Sequence, residues 1–519
     1  MNELISIRNL GQYGINTDLE ESNLPLNVLT SGYNFRVKNG KIWPVVDKQV
    51  LSTPTGFNAG YLLGVKTSTD QFVLVAGNTA VKVFDGATWT DISSVAGYVP
   101  LGTDDEVLWS GCLLGNIPII NNFQHYPEYW SPQAITQILQ PLNFDPANTW
   151  AAKNFAAKVF RSHGQYMFAL NLREVATYLP DSYRWSHPAD INGLPFTWDE
   201  TDLSAIAGKA SIGGSSGAIV DGKSLRDAFI IYSEQAINAL YLSGDEFIWR
   251  KVLISSTYGL AAKDSIIEMA GKHYFISQND ICFTDGYTVE SILRNTLRNT
   301  FNDRTNFQFL SRSYAFHHIV ANEFWFCIPS DGAVYANLAY VYNYVDSTWA
   351  LRNLPIGVPF IGYAIKLSPP VTWATVTGTW ATINRKWSMA PYAEEMPLGV
   401  INSDSSLVTV DDATVQSFLP ILLERTGLNI TEDVRSVETL VQMFPIFSGS
   451  SSLYIQLGSK DFPGSPIRWQ NSEIFDIETR RSLQQNTTGA LHCYRIFGVP
   501  TNNFTLSGFD LEYTSSGLN

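Results

Sequence analysis

The sequence predicts an all-β chain: an irregular β-propeller of four-stranded blades with a C-terminal β-sandwich-like domain. Three observations lead there. Short β-branched or aromatic runs alternate with Gly-Asn and Asp-Gly dipeptides, which tolerate the positive φ of tight hairpin turns. Groups of such runs recur at a spacing of roughly 40–50 residues, as radially repeated sheets require. Beyond residue 413 the runs lengthen and alternate between Gly-Ser and Pro-Gly turns, the pattern of a sandwich.

The first 50 residues are turn-rich and form a segment that closes a blade or contacts a neighbour. Residues 51–412 carry the propeller. Within them, residues 60–94 read as a four-stranded meander, with FVLVA at 72–76 and AVKVF at 80–84. Comparable groups lie at 109–131, 155–186, 225–254, 265–292 and 313–352. Residues 366–400, with WATVTGTWATINRKW, form an irregular insertion, and SLVTV at 406–410 reads as a last blade strand. Helical periodicity is scarce, and ILRNTLRN at 292–299 is the best helix candidate. Residues 413–519 form the sandwich-like domain, from PILLER through HCYRIFGV to FTLSGFDLEY.

Charged residues make up 16% of the 519 positions, below the ~25% of an average soluble protein. With 13% aromatics, such a surface suits a component packed against neighbours. The formal net charge of −14 and the lack of a dense basic run argue against a protein that grips nucleic acid, because phosphate neutralisation needs clustered Lys and Arg. Cys112, Cys282, Cys327 and Cys493 are far apart and match no zinc spacing, so no metal is expected. The start, MNELISIRNL, lacks the basic and apolar regions of a signal peptide, and no apolar run reaches the ~20 residues that cross a bilayer. Synthesis and first folding in a cytoplasm, without membrane insertion, are the expectation.

Few motifs point to chemistry. GAIVDGKS at 217–224 fits the phosphate-loop spacing G-x-x-x-x-G-K-S, which would aim backbone N–H groups and Lys223 at a nucleotide. Its context is wrong: SIGGSS precedes it where a strand belongs, and LRDAFIIYS follows where a helix belongs. We read it as a Ser/Gly-rich loop, a short strand and a turn at Asp221 and Gly222. FDGATW at 84–89 and DSTW at 346–349 resemble ends of the sialidase Asp-box, and they read better as blade-closing turns in which Trp89 and Trp349 cover a core edge. The carboxylate clusters Asp199, Glu200, Asp202 and Asp104, Asp105, Glu106 would serve glycoside hydrolysis only at a defined separation across a cleft. His187 with Asp190, and His317 with His318, have no nucleophile elbow beside them. Adjacent histidines on a strand point to opposite faces and do not share a metal. No catalytic, cofactor-binding or metal residues are assigned, no cofactor is expected, and the chain is not read as an enzyme.

Several segments, in order along the chain, resemble the tail hub or nozzle proteins of short-tailed bacteriophages. They are GINTDLEESNLPLNVLTSGYNFRVKNGKIWPV at 14–45, NNFQHYPEYW at 121–130, RWSHPAD at 184–190 and PFTWDETD at 195–202. DAFIIYSEQAINALYLSG at 227–244, DICFTDGYTVESI at 280–292 and VYNYVDSTWALRNLP at 341–355 follow, then ERTGL at 424–428 and LYIQLGSKD at 453–461. Asn122 stands where the family pattern has Gly, and residues 366–400 resemble nothing in it. The resemblance implies a virion-tail subunit in a six-subunit homo-oligomeric ring. That ring lies below a portal or adaptor protein, carries tail fibres or spikes, and passes double-stranded DNA without sequence-specific binding. It implies no catalytic residues, and lumen and gate residues are not identified. The competing reading is a propeller-type glycan-binding or glycan-hydrolysing protein.

Overall fold

Short alternating runs joined by tight turns pair each strand with the next in sequence, so the chain lays down hairpin after hairpin. The computed structural model describes residues 2–52, 59–66, 71–86, 88–94, 98, 109–132, 137–191, 193–213, 216–244, 248–355, 361–365, 395–400, 406–412, 415–431 and 435–518. Among them are seven four-stranded antiparallel sheets, the blades of a β-propeller.

Blade 1 comprises Ala59–Lys66, Gln71–Gly77, Val81–Phe84 and Trp89–Asp91, and blade 2 Trp109–Leu114, Ile117–Asn122, Glu128–Tyr129 and Gln140–Pro141. Blade 3 comprises Phe155–His163, Tyr166–Glu174, Thr177–Trp185 and Gly208–Ser211, and blade 4 Ile219–Leu225, Ala228–Ser233, Ile237–Leu242 and Trp249–Ser255. Blade 5 holds Ile266–Met269, Lys272–Ile276, Ile281–Thr284 and Val289–Ser291, and blade 6 Tyr314–His318, Glu323–Ile328, Leu338–Asn343 and Thr348–Asn353. Blade 7 is built from Ile361–Ile365, Glu395–Val400 and Leu407–Thr409, with Gln49–Ser52 from before blade 1 as its fourth strand. The first strands of successive blades touch, and that of blade 7 touches that of blade 1, so the ring closes. Trp89 strengthens this seam: its Nε1 donates to Ser52 Oγ at 2.8 Å.

The second domain is a sandwich of two sheets. One has the order Phe35–Lys38, Lys41–Pro44, Phe504–Leu518, Ser436–Gly449, Leu483–Gly489, with Glu3–Arg8 also paired to Phe504–Leu518. The other has the order Ser31–Tyr33, Ile421–Leu428, Leu491–Gly498, Ser452–Lys460, Arg468–Trp469, with Glu473–Asp476 also on Ser452–Lys460. The strict inside–outside alternation of Leu483–Gly489 shows one face on the core and one in water. The sandwich is thus made from both ends of the chain, and the propeller is the excursion between them. One continuous apolar core joins Ile421, Leu423, Ile496 and Phe509 of the sandwich to Phe324, Phe326, Tyr340 and Leu351 of blade 6.

Three expectations need correction. The helix candidate at 292–299 breaks at Asn295, whose φ is 61°. The helix begins later, as Arg298–Arg304, where the Asp18 carboxylate accepts from the amides of Arg298 at 3.0 Å and Asn299 at 2.9 Å. Asp221 and Gly222 are not a turn but lie within the first strand of blade 4, next to a bulge. Glycine is required there, because a Cβ on Gly222 would stand 2.6 Å from the Phe229 ring. SLVTV holds Leu407–Thr409, the last propeller strand along the chain, as expected, although Gln49–Ser52 rather than SLVTV forms the outer edge of that blade. Of the supposed insertion, residues 366–394 lie outside the described residues, while Glu395–Val400 is a regular blade strand.

Candidate functional site

The first strands line the propeller axis, and an ion network ties them together there. Arg161, on the first strand of blade 3, donates from Nε and Nη2 to the two carboxylate oxygens of Asp221, at 2.8 Å each. Nη2 also reaches Asp264 at 2.6 Å, and Nη1 the Gly111 carbonyl at 2.8 Å. Tyr61 donates to the same carbonyl at 3.3 Å. Burial works against the guanidinium charge, but Asp221 and Asp264 hold its pKa well above the ordinary value. Fork-to-fork pairing of this kind fixes orientation as well as charge. Both carboxylates of the network, Asp221 and Asp264, pair with the one guanidinium.

Lys223 belongs to the same axis. Its Nζ donates to the Ile266 carbonyl at 2.7 Å. Burial, reinforced by Arg161, lowers its pKa. The residues that fit the phosphate-loop spacing pair along Ala228–Ser233, with Gly222 opposite Ile231 and Lys223 opposite Ile230. Their backbone serves the sheet ladder and does not form a phosphate cradle.

A second network joins the two domains. Arg36, on the sandwich strand Phe35–Lys38, donates to Glu323 from Nε at 2.5 Å and from Nη2 at 2.8 Å. Its Nη2 also meets Asp411 at 2.6 Å. Asp411 receives Arg352 at 3.0 Å and His318 at 2.9 Å as well. Burial alone would raise the Asp411 pKa, but Arg36, Arg352 and His318 hold it well below the carboxylate range. Arg352 lies over the Trp325 ring at 4.5 Å and donates to the Val46 carbonyl at 3.0 Å. The two chain crossings between domains also bond to each other: Asp47 to Ser417 at 2.9 Å and Leu419 to Val45 at 3.0 Å.

The segment at 184–207 leaves the third strand of blade 3 and returns as its fourth. Its base is anchored. Arg184, only 2% exposed, pairs with Glu174 at 2.8 Å and with Glu200, and donates to the Trp198 carbonyl at 2.9 Å. Trp198 is buried edge-on to Trp150, with ring centres 5.1 Å apart. Asp199 and Asp202 close local turns by accepting from Thr201 and Ser204, which lowers both pKa values. Glu200, Asp199 and Asp202 therefore serve the loop's own architecture. His187 Nδ1 accepts from the Ile206 amide at 3.3 Å, and Asp190 is exposed. The loop presents Leu203, Ile191 and Phe196 to solvent, the first two 100% and 86% exposed.

His318 points inward to Asp411, while its neighbour His317 faces Tyr344 at 3.2 Å. Cys112, Cys282, Cys327 and Cys493 are free and buried. Asp104, Asp105 and Glu106 lie outside the described residues. Among the described residues no three His, Cys, Asp or Glu side chains are placed to hold a metal, and no helix is long and apolar enough to cross a membrane.

The two propeller faces differ. Turns between the second and third strands, with the linkers between blades, frame a cavity of about 420 Å³ lined by Glu234, Gln235, Gln278, Phe307 and Gln308. Turns between first and second strands, and between third and fourth, form the opposite face. There the Ala189 amide bonds to the Gln165 carbonyl at 2.8 Å, and Arg226 of blade 4 to the Gly271 carbonyl of blade 5 at 2.9 Å. The residues that organise these places, Arg36, Arg161, Arg184 and Asp411, were not singled out from sequence. A lone arginine in an apolar strand, as in AAKVFRSH, is the signal that could have found them.

No protein-family model matches the chain, and neither does any curated protein. Solved structures that align with it include YCF48 bound to D1 peptide, at 10% identity over 73% of this chain and 99% of that one, with a TM-score of 0.37. The AfRom2 CNH domain aligns at 7% identity over 70% of this chain and 98% of that one, TM-score 0.38. The WD40 domain of Neurospora crassa Pan2 aligns at 7% identity over 72% and 97%, TM-score 0.37. Superpositions this loose carry nothing about binding, and the propeller assignment stands on the sheet order and the closed ring of first strands.

Proposed function

We propose that the chain is a structural component of a short phage tail. It forms a ring, a nozzle or hub below the portal or adaptor, that retains packaged DNA and conducts it during ejection. The observation that supports this most directly is the interdomain latch of Arg36, Glu323, Asp411 and Arg352 over a continuous apolar core. A ring that holds back packaged DNA needs subunits that do not hinge at their domain junction. The ordered segments resembling hub and nozzle proteins support the same reading, and a net charge of −14 suits a conduit that DNA leaves without sticking. On this reading the protein works through shape and contact, without catalysis or cofactor. Its partners are its own copies in a six-subunit ring, the portal or adaptor, and fibres or spikes. It is made in the host cytoplasm and resides in the virion tail.

Immunogold electron microscopy of purified phage particles, with antibody against this chain, tests the proposal. Gold confined to the short tail is the expected result. Absence of label on both intact and disrupted particles would remove it.

One observation favours the glycan-binding alternative. The cavity of about 420 Å³ brings three glutamine amides and Glu234 beside the half-exposed Phe307 ring, which is chemistry suited to sugar hydroxyls and a sugar face. Saturation-transfer NMR with host-surface oligosaccharides separates the two readings: transfer that disappears in Gln278→Ala with Gln308→Ala supports glycan recognition.

A further inference from the structure

Exposed large apolar side chains recur on one face of the propeller, blade after blade. Blade 3 contributes Ile191, Phe196 and Leu203 from its anchored loop. Blade 4 contributes Leu242 at the end of its third strand, blade 5 Tyr287 and blade 6 Val320, the last two 71% and 74% exposed. All lie at turns between first and second or third and fourth strands. Antiparallel pairing places these turns at one end of each blade, and the contacts of His163 with Ser224 and of Arg226 with Gly271 carry that end from blade 3 through blade 4 to blade 5. Single exposed apolar residues need no explanation, but a run of them over four neighbouring blades marks an interaction surface.

The same turns carry carboxylates: Asp190 and Asp202 in blade 3, Asp227 in blade 4 and Asp285 in blade 5, whereas Glu200 is paired with Arg184 and Asp346 of blade 6 accepts from the Asn39 amide of the sandwich. Arg226 is the only lysine or arginine in the described residues of these turns, and it is bonded to the Gly271 carbonyl. Hydrogen bonds within their turns lower the pKa values of Asp202 and Asp285, so both stay charged at neutral pH. An apolar surface rimmed by one sign of charge selects its occupant. A second copy of this acidic face is repelled, and so is an anionic lipid surface.

The geometry points to this face as the docking site for a partner protein whose contact surface is apolar and studded with lysine or arginine. The inference rests on the assembly reading above for where that partner is found, whereas the contact chemistry is testable on the purified chain. Because the loop of blade 3 is pinned by Arg184 and Trp198, the partner meets a surface already in place, and little ordering cost opposes binding.

The test uses two synthetic amphipathic helical peptides with identical apolar positions, one bearing lysine and the other glutamate on the polar face. Isothermal titration is expected to show binding of the lysine peptide that weakens with salt, and none of the glutamate peptide. Ile191→Ser with Leu203→Ser should weaken it about tenfold or more, the scale of a hot-spot truncation. Tyr287→Ser, two blades away, should weaken it as well. Val175→Ser, at a turn between second and third strands, should leave it unchanged. Asp190→Asn with Asp227→Asn should flatten the salt dependence. Equal binding of the two peptides, binding of neither, or equal loss in Val175→Ser overturns the inference. Self-association by sedimentation that Leu203→Ser abolishes, or adsorption to anionic phosphatidylglycerol vesicles, also overturns it in favour of another occupant. Particle labelling is read separately, so peptide binding without tail label refutes the phage reading alone, and tail label without peptide binding refutes this docking site alone.

Discussion

Asp411 holds Arg36 at 2.6 Å across the boundary between sandwich and propeller, from a backbone with φ of 69°. Its carboxylate is shared with Arg352 and His318, so one side chain neutralises groups from the sandwich and from blade 6. Asp411→Ala leaves two guanidinium groups buried beside the single carboxylate of Glu323. We expect a loss of about 3–5 kcal/mol, the usual cost of breaking a buried pair from one side. Urea unfolding measures it, and a change under about 1 kcal/mol is incompatible with a latch.

Arg184 does for one loop what Asp411 does for the domains. Arg184→Met keeps the stem and removes the pairs with Glu174 and Glu200 and the bond to the Trp198 carbonyl. A loss of about 2–4 kcal/mol should follow, together with new proteolytic cleavage between residues 186 and 207. Cleavage sites mapped by mass spectrometry distinguish loosening of this loop from general unfolding.

Gly222 tests the reading of the GAIVDGKS run as a strand. Gly222→Ala places a methyl group 2.6 Å from the Phe229 ring and 3.0 Å from Leu170, within a packed seam between blades 3 and 4. Overpacking should cost about 1–3 kcal/mol. Lys223→Ala should leave a fluorescent ATP analogue as unbound as it is to the parent chain, because the Lys223 ammonium is committed to the Ile266 carbonyl. Nucleotide binding by the parent that the variant lacks would falsify the strand reading.

Acid should weaken the fold through two histidines. Burial pushes His492 down to about 4. Burial likewise pushes His273 down to about 3; the bond to the Ser224 carbonyl opposes the shift and Lys223 adds to it. Their unfolded value is about 6.5, so below that pH the unfolded chain takes up protons that the native chain refuses. Stability is therefore full above about pH 6.5 and falls as the pH drops toward the folded values. At about 1.4 kcal/mol per pKa unit, His492 accounts for roughly 3 kcal/mol. Glu438 stands 3.9 Å from it, beyond hydrogen-bond reach. Urea midpoints between pH 7 and pH 4 should show the decline, with a shallower slope in His492→Gln.

Most of the propeller could be read from the sequence because each blade pairs neighbouring strands. FVLVA and AVKVF, with Gly77-Asn78 between them, declare a hairpin without reference to anything distant. The fourth strand of blade 7 could not be read in this way. Gln49 pairs with Thr409, and nothing local to either marks the match. The same holds for Glu3 opposite Tyr513. At the axis the chemistry was misleading: Gly222, Lys223 and Ser224 fit a phosphate loop by spacing, yet the glycine is there because Phe229 and Leu170 leave no room for a Cβ. Burial of Arg36 and Arg161 was invisible because their acids, Asp411 and Asp221, lie far off in sequence.

Closure of both domains by the first strands of the chain has a consequence for biosynthesis. Glu3–Arg8 must wait for Phe504–Leu518 to leave the ribosome, a delay of roughly 25–100 s at ~5–20 residues per second. Meanwhile six blades can form hairpin by hairpin, but the ring stays open until Leu407–Thr409 is translated and Gln49–Ser52 can zip onto it. The nascent protein therefore carries an unpaired sheet edge at its front for almost the whole of its synthesis. Pairings of such sequence separation form only once the far end of the chain is made, so this edge stays open to other chains until then.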